Sequence, residues 1–279
     1  MRILLTNDDG INARGLHVLA RMMKEFGDVT VVAPKYHQSG MSMAVDLGFR
    51  PLAYKDLGDR DGIHWAYLDG HPASCVKYGL NFPTGGCRPD VVLSGINHGS
   101  NASTGSCYSG TLGAAQEAAL NGIPAFGVSV DAYSPEADFT AVERLFPDLF
   151  RALLAAWPDR EGLYYNINFP ALPTAEIKGI RVGHQGRGHW EREFIPWDPA
   201  RLSKFGASRA DFGPDGIVRA DDGEQVFMMV GEYVDDENTP GADHHLMQEG
   251  YVTLVAHNLY TTDWEETGRL SGLGVECDF

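Results

Sequence analysis

The apolar positions of this chain fall into short blocks of two kinds. Residues 2–6, "DVTVVAP" at 28–34, "PDVVLSG" at 89–95 and "IPAFGVSV" at 123–130 are near-continuous apolar runs with the length and β-branched content of strands buried on both faces. Between them apolar residues recur at helical spacing. Leu16, Leu19, Ala20 and Met23 lead up to Phe26, with Gly27 as the expected C-terminal cap, and Thr111 to Leu120 forms a second helix stopped by Asn121-Gly122. A further helical stretch covers about 139–157, and Pro147 is expected to kink or split it. Strands alternating with helices predict an α/β fold, a parallel sheet with helices on both faces.

After "YYNINFP" (164–170) the pattern changes. Residues 184–245 are rich in Gly, Asp, Pro and Trp and carry short β-like runs such as "EQVFMMVGEYV" (224–234), which predicts a hairpin-bearing arm. "GYVTLVAHNL" (250–259) reads as a strand returning to the core, and the polar stretch from 261 to 279 as an extended tail. The expected division is a core over 1–183, an arm over 184–245, and a return strand with tail over 246–279.

Composition narrows the classes. At 279 residues and 43% hydrophobic content the chain can bury a large core, and no apolar run approaches the ~20 residues of a membrane span. A net charge of −16 argues against nucleic acid polymers and anionic membranes as partners. The four cysteines are scattered without a C-x-x-C pair, and the N-terminus lacks the shape of a signal peptide; both point to the cytoplasm.

The candidate chemistry begins at Asp8-Asp9-Gly10. Asp-Asp-Gly is by itself a turn, and Asp221-Asp222-Gly223, between strand-like runs, is expected to be only that. The first pair differs because it ends a buried strand that leads into a helix, and open parallel sheets bind ligands at the carboxyl ends of their strands. The other strand ends supply Ser39 from "KYHQSG", and Asn97 and Asn101 from "SGINHGSN". Two carboxylates, a hydroxyl and an amide are an all-oxygen set suited to Mg²⁺ or Mn²⁺. Ser109-Gly110-Thr111 opens the next helix, where Ser109 or Thr111 could merely cap; beside a cation, that N-terminus reads as a phosphate site. The histidines of "GHQGRGHW" (183–190) and His244-His245 read as structural or solvated, and His98 lies nearest the proposed chemistry.

"ILLTNDDGINARG", "VVAPKYHQSG", "PDVVLSGINHGSN" and "YSGTLGAAQEA", in this order, resemble the SurE (survival protein E) nucleotidase family strongly over residues 1–130. The likeness continues weakly through "NINFP", "KGIRVGHQGR" and "ADHHLMQEGYVTL". The resemblance implies a Rossmann-like fold and a metal-dependent phosphatase of nucleoside 5′- and 3′-monophosphates, with one divalent cation per subunit. It implies metal ligands at Asp8, Asp9, Ser39 and Asn97, and phosphate contacts at Asn101, Ser109, Gly110 and Thr111. Asp8 and Asp9 are also the candidate catalytic residues, either of which could accept a proton from a metal-bound water. It further implies a homodimer or homotetramer with exchanged C-terminal segments. Short-chain exopolyphosphatase activity and a non-catalytic nucleotide-binding module are the alternatives. A receiver module and an NAD-dependent enzyme fail, because residues 50–59 make no convincing phosphoacceptor strand and residues 7–15 lack G-x-G-x-x-G. One departure stands out: Gly70-His71-Pro72-Ala73-Ser74-Cys75 replaces the family's G-T-P-x-D-C, which puts local support of the site in question.

Overall fold

A computed structural model describes residues 1–48, 50–82, 86–198, 221 and 223–273. The parallel core comprises β1 (Arg2–Thr6), β2 (Asp28–Pro34), β4 (Ile63–Leu68), β5 (Val91–His98), β6 (Ala125–Val130) and β7 (Leu163–Phe169). Around them a nine-stranded sheet runs in the order β3-β4-β2-β1-β5-β6-β7-β13-β8, with β3 (Tyr54–Arg60), β8 (Gly179–Val182) and β13 (Tyr251–Asn258) at its margins. β3 is antiparallel to β4, and β13 is antiparallel to β7 and parallel to β8. β1 therefore has β2 on one side and β5 on the other, which makes its carboxyl end the point where the winding reverses.

Alternation along β1 sorts the core into two layers. Ile3 and Leu5 face α1 (Arg14–Met23) and α5 (Thr140–Ala155), packing with Leu16, Leu19, Phe146 and Phe150. Leu4 faces the other way, with Cys75 and Val76 of α2 (Pro72–Asn81) and Leu112, Ala115 and Ala118 of α4 (Gly110–Leu120). Each fully buried side chain of this size contributes roughly 1.5–3 kcal/mol. α4 is buried on nearly all sides, and its Gly and Ala residues let it lie close to the sheet.

Some expectations change. α1 ends at Met23 with Lys24 as its C-cap; Gly27 instead admits the backbone of Met1, which a Cβ there would strike. α5 runs through Pro147 without splitting, because Val142, Phe146 and Phe150 anchor one face while Glu143 and Arg144, one turn before the proline, are exposed to water. The tail is helical over α7 (Trp264–Ser271): Asp263 accepts from the Glu266 N–H at 2.9 Å, and Glu266 pairs with Arg269 at 2.7 Å. The arm carries two small ribbons, β9 (Gly188–Glu191) with β12 (Glu232–Asp235) and β10 (Phe194–Pro196) with β11 (Phe227–Met229). Residues 199–220, Asp222 of the expected turn and the tail from 274 onward lie outside the described residues.

Candidate active site

The chain leaves β1 through a turn that Asn7 builds. Its buried side chain brackets Gly10, donating from Nδ2 to the Gly10 carbonyl at 3.0 Å and accepting the Gly10 N–H at 3.2 Å. Gly10 sits at φ +98°, a left-handed conformation that favours glycine, so Asp8 and Asp9 are freed from the strict alternation of a strand. The Asp8 carbonyl accepts from the Gln38 N–H at 2.7 Å, pinning the loop after β2 to the end of β1. Asp9 reaches the end of β5. Its Oδ2 accepts the His98 N–H at 3.2 Å and lies 2.9 Å from His98 Nδ1, while His37 Nδ1 is 3.5 Å from Oδ1. Three strand ends thus meet at the two carboxylates.

The N-terminus of α4 faces them. Thr111 donates its hydroxyl to Asp8 Oδ1 at 2.5 Å, and Ser109 caps the helix by accepting from the Leu112 N–H at 3.0 Å, which leaves the Ser109 O–H free to donate elsewhere. Gly110 allows the close approach: a Cβ there would lie 2.9 Å from the Asp8 Cβ and 3.0 Å from Asp8 Oδ2. Burial and then the negative charge of Asp9 push the Asp8 carboxyl well above the usual carboxylate range, against the opposing pull of the Thr111 hydroxyl. A buried and a partly buried carboxylate with this mutual repulsion are a donor set that a hard divalent cation stabilises.

The remaining expected residues fall as follows. Asn97 is buried and gives its Nδ2 to the Gly99 carbonyl at 2.7 Å, which leaves Oδ1 as a potential ligand. Asn101 is buried beneath the site; its Nδ2 donates to Ser129 Oγ at 2.8 Å, so one of its two amide hydrogens is already committed. Ser39 is exposed, one residue beyond the Gln38 that Asp8 anchors. Thr111, expected on phosphate, has its hydroxyl committed to Asp8.

Several supporting residues lie in stretches to which the sequence reading gave no role. Asn168 Oδ1 accepts the Asn101 N–H at 2.7 Å and Asn166 Nδ2 donates to the Asn101 carbonyl at 2.8 Å, so the "NIN" of β7 clamps that loop from both sides. Asp243, fully buried, takes the N–H groups of Ser103 and Gly186 at 3.0 Å each. His98 is adjacent to Asn97 in sequence, and that adjacency is the one signal there of its hold on Asp9.

The departure at 70–75 has its own support. Ser74 Oγ accepts the Asp46 N–H at 2.9 Å, and Asp46 Oδ2 accepts the His71 N–H at 2.9 Å. Arg50 Nη2 donates to Asp46 Oδ1 at 3.0 Å, while His71 Nδ1 lies 3.0 Å from Oδ2 without hydrogen-bond alignment. Burial raises the Asp46 carboxyl, but these donors outweigh it and hold it at about 2. Because the folded value lies below the unfolded one of about 3.9, the stabilisation is full above pH ~4 and is lost as pH falls through ~2. Asp46→Asn is therefore expected to cost about 2 kcal/mol at pH 7. Denaturant titrations of both proteins should show the difference shrinking toward pH 2.

A paired oxygen-donor turn at the reversal point of a parallel sheet, faced by a buried helix N-terminus, defines a Rossmann-like α/β protein suited to holding a cation and an anion side by side. Comparison with known proteins gives the family. A family model described as Survival protein SurE matches residues 3–192. A relative from Cytophaga hutchinsonii named 5′-nucleotidase SurE is 35% identical, covering 96% of this chain and 95% of that protein. One of the same name from Roseobacter denitrificans is 35% identical across 99% of this chain and all of its own length. The crystal structure of SurE protein from Aquifex aeolicus superposes with a TM-score of 0.75 at 27% identity, covering 98% of this chain and 100% of that one. The chain belongs to the SurE family.

Proposed function

We propose that this protein is a divalent-metal-dependent 5′-nucleotidase, hydrolysing nucleoside 5′-monophosphates, and 3′-monophosphates as well, to nucleoside and phosphate. The observation that carries the reading is the meeting of Asp8 and Asp9 with the N-terminus of α4 across the Gly110 contact. The name 5′-nucleotidase borne by relatives over nearly the whole chain supports the activity. Asp8, Asp9 and Asn97 Oδ1 would hold the cation, with Ser39 completing the set from the neighbouring loop. An all-oxygen set fits Mg²⁺ or Mn²⁺. When bound, the cation supplies Lewis acidity that acidifies an attacking water and offsets charge on the phosphoryl oxygens.

The chain's own groups do the positioning. Thr111 holds Asp8, and His98 holds Asp9 through both its backbone and its ring. The Ser109 hydroxyl, the Gly110 N–H and the positive end of α4 would grip non-bridging phosphate oxygens, with Asn101 contributing from below. A purely binding module would gain nothing from two carboxylates beside a phosphate site, and the relatives' name of 5′-nucleotidase does not favour an exopolyphosphatase. Unpaired Cys75, Cys87 and Cys107 support a cytoplasmic enzyme. Exposed Phe194, Phe227 and Met229 on the arm support a homodimer or homotetramer.

Phosphate release from AMP and its 3′ isomer tests the proposal. Activity should require Mg²⁺ or Mn²⁺, vanish with a chelator and return when the cation is restored. No release with any divalent cation would overturn it.

A further inference from the structure

The proposed reaction leaves a second cluster unused, at the foot of the arm. β12 ends on Asp235, and the chain returns through residues 236–242 into α6 (Asp243–Gln248), which sets Asp235 against the first turn of that helix. Asp235 Oδ1 lies 3.1 Å from His244 Nε2 and Oδ2 lies 2.6 Å from His245 Nε2. One donor atom from each of the three residues falls within 4.8 Å of the other two.

The geometry of His244 suits a metal ligand. Its Nδ1 is buried without a hydrogen-bond partner, 3.6 Å from Asp243 Oδ1, while its Nε2 faces Asp235. The ring thus has a carboxylate at each end. A neutral imidazole carries one N–H, so one end always presents a lone pair to a carboxylate. A proton on Nδ1 and a metal on Nε2 satisfies both ends, the carboxylate–histidine–metal arrangement in which the outer carboxylate fixes the tautomer. The ring cannot swing away. Asp243 is held by Ser103 and Gly186, a Cβ on Gly186 would collide with the imidazole, and the Tyr233 ring meets its face edge-on at 5.9 Å. Asp235 is fixed in turn, its Oδ1 accepting from the Glu237 N–H at 2.9 Å. The rings of His244 and His245 stand 4.1 Å apart, which brings their Nε2 atoms to the same carboxylate.

We propose that Asp235, His244 and His245 form a second metal site, separate from Asp8 and Asp9, for a borderline transition cation of the Zn²⁺ class. Two imidazoles and one carboxylate suit Zn²⁺ and Co²⁺ far better than Mg²⁺, and the partly exposed side chains of Asp235 and His245 leave room for water to complete the shell. The cation ties the end of β12 to α6 and, through Asp243, to Ser103, two residues from Asn101. The site is independent of the reaction assigned to Asp8 and Asp9.

The test uses full-length protein stripped with a chelator and then held in excess Mg²⁺, so that the all-oxygen set is filled. Calorimetric titration with Zn²⁺ should show one further cation per chain, and Co²⁺ should give visible absorption of a nitrogen-ligated, low-coordinate ion. His245→Ala and Asp235→Asn should each weaken Zn²⁺ binding by at least about 100-fold, whereas Asp9→Asn should leave it intact. Circular dichroism establishes that the variants are folded, and the wild-type cobalt spectrum stands without them. No uptake in excess Mg²⁺, uptake unaltered by both arm variants, or uptake abolished by Asp9→Asn would overturn the assignment.

Discussion

Asp9→Asn is expected to lower kcat by about a thousandfold or more while raising the melting temperature of the metal-free protein. Asparagine keeps the shape of Asp9 and can still accept the His98 N–H, so the turn built by Asn7 and Gly10 persists. What it removes is one negative charge beside the buried Asp8 carboxyl, whose ionised form that charge opposes. Relief of this repulsion stabilises the empty site. Under the proposed assignment the same loss strips the cation of a charged ligand, and Lewis-acid stabilisation of several kcal/mol corresponds to a rate factor of about 10³ or greater. Stabilisation by Mn²⁺, which depends on the ratio of its concentration to Kd, should nearly vanish as well. Steady-state kinetics at saturating Mn²⁺ and melting curves with and without it give both readouts. Wild-type turnover in the variant would remove Asp9 from the metal site.

These two opposite expected effects follow from residues adjacent in sequence, which is why the pairing of Asp8 and Asp9 at the end of β1 is legible there. β1 and β2 start and stop within a residue or so of the expected limits, because buried parallel strands are uninterrupted apolar runs. β3 was not visible: it is an edge strand, mostly exposed, with a register shift between Asp56 and Gly58, so no apolar rhythm marks it. α7 was hidden for another reason. Its polar surface suggests a tail, yet Asp263 and Glu266 carry the spacing of a helix cap. Within the site, the sequence shows donors but not their commitments. That Thr111 serves Asp8 depends on a contact across 103 residues, and the hold of Asp243 on Ser103 spans 140. Both arise from packing the arm and α4 against the sheet, which no local pattern encodes.

Gly110→Ala is expected to reduce kcat/KM by about 100-fold with a modest loss of stability. The added Cβ would lie 2.9 Å from the Asp8 Cβ, 3.0 Å from Asp8 Oδ2 and 3.1 Å from the Gln38 carbonyl oxygen. None of these can yield easily: Asp8 is held through its carbonyl by Gln38 and through its carboxylate by Thr111. The start of α4 must therefore withdraw, taking the Ser109 hydroxyl and the Gly110 N–H away from the carboxylates. A misplacement approaching 1 Å costs about 100-fold when two grips must act on one phosphoryl group. Overpacking costs about 1–3 kcal/mol, partly offset by the roughly 0.5–1 kcal/mol that alanine gains over glycine within a helix. Gly105→Ala is the control, since a Cβ there meets nothing within 4 Å. Kinetics and melting of the two variants separate a general cost of losing glycine from the loss of this single approach. If Gly110→Ala keeps kcat/KM within a few-fold of wild type, the cation and phosphate grips do not work across this contact, and α4 serves only to orient Asp8 through Thr111.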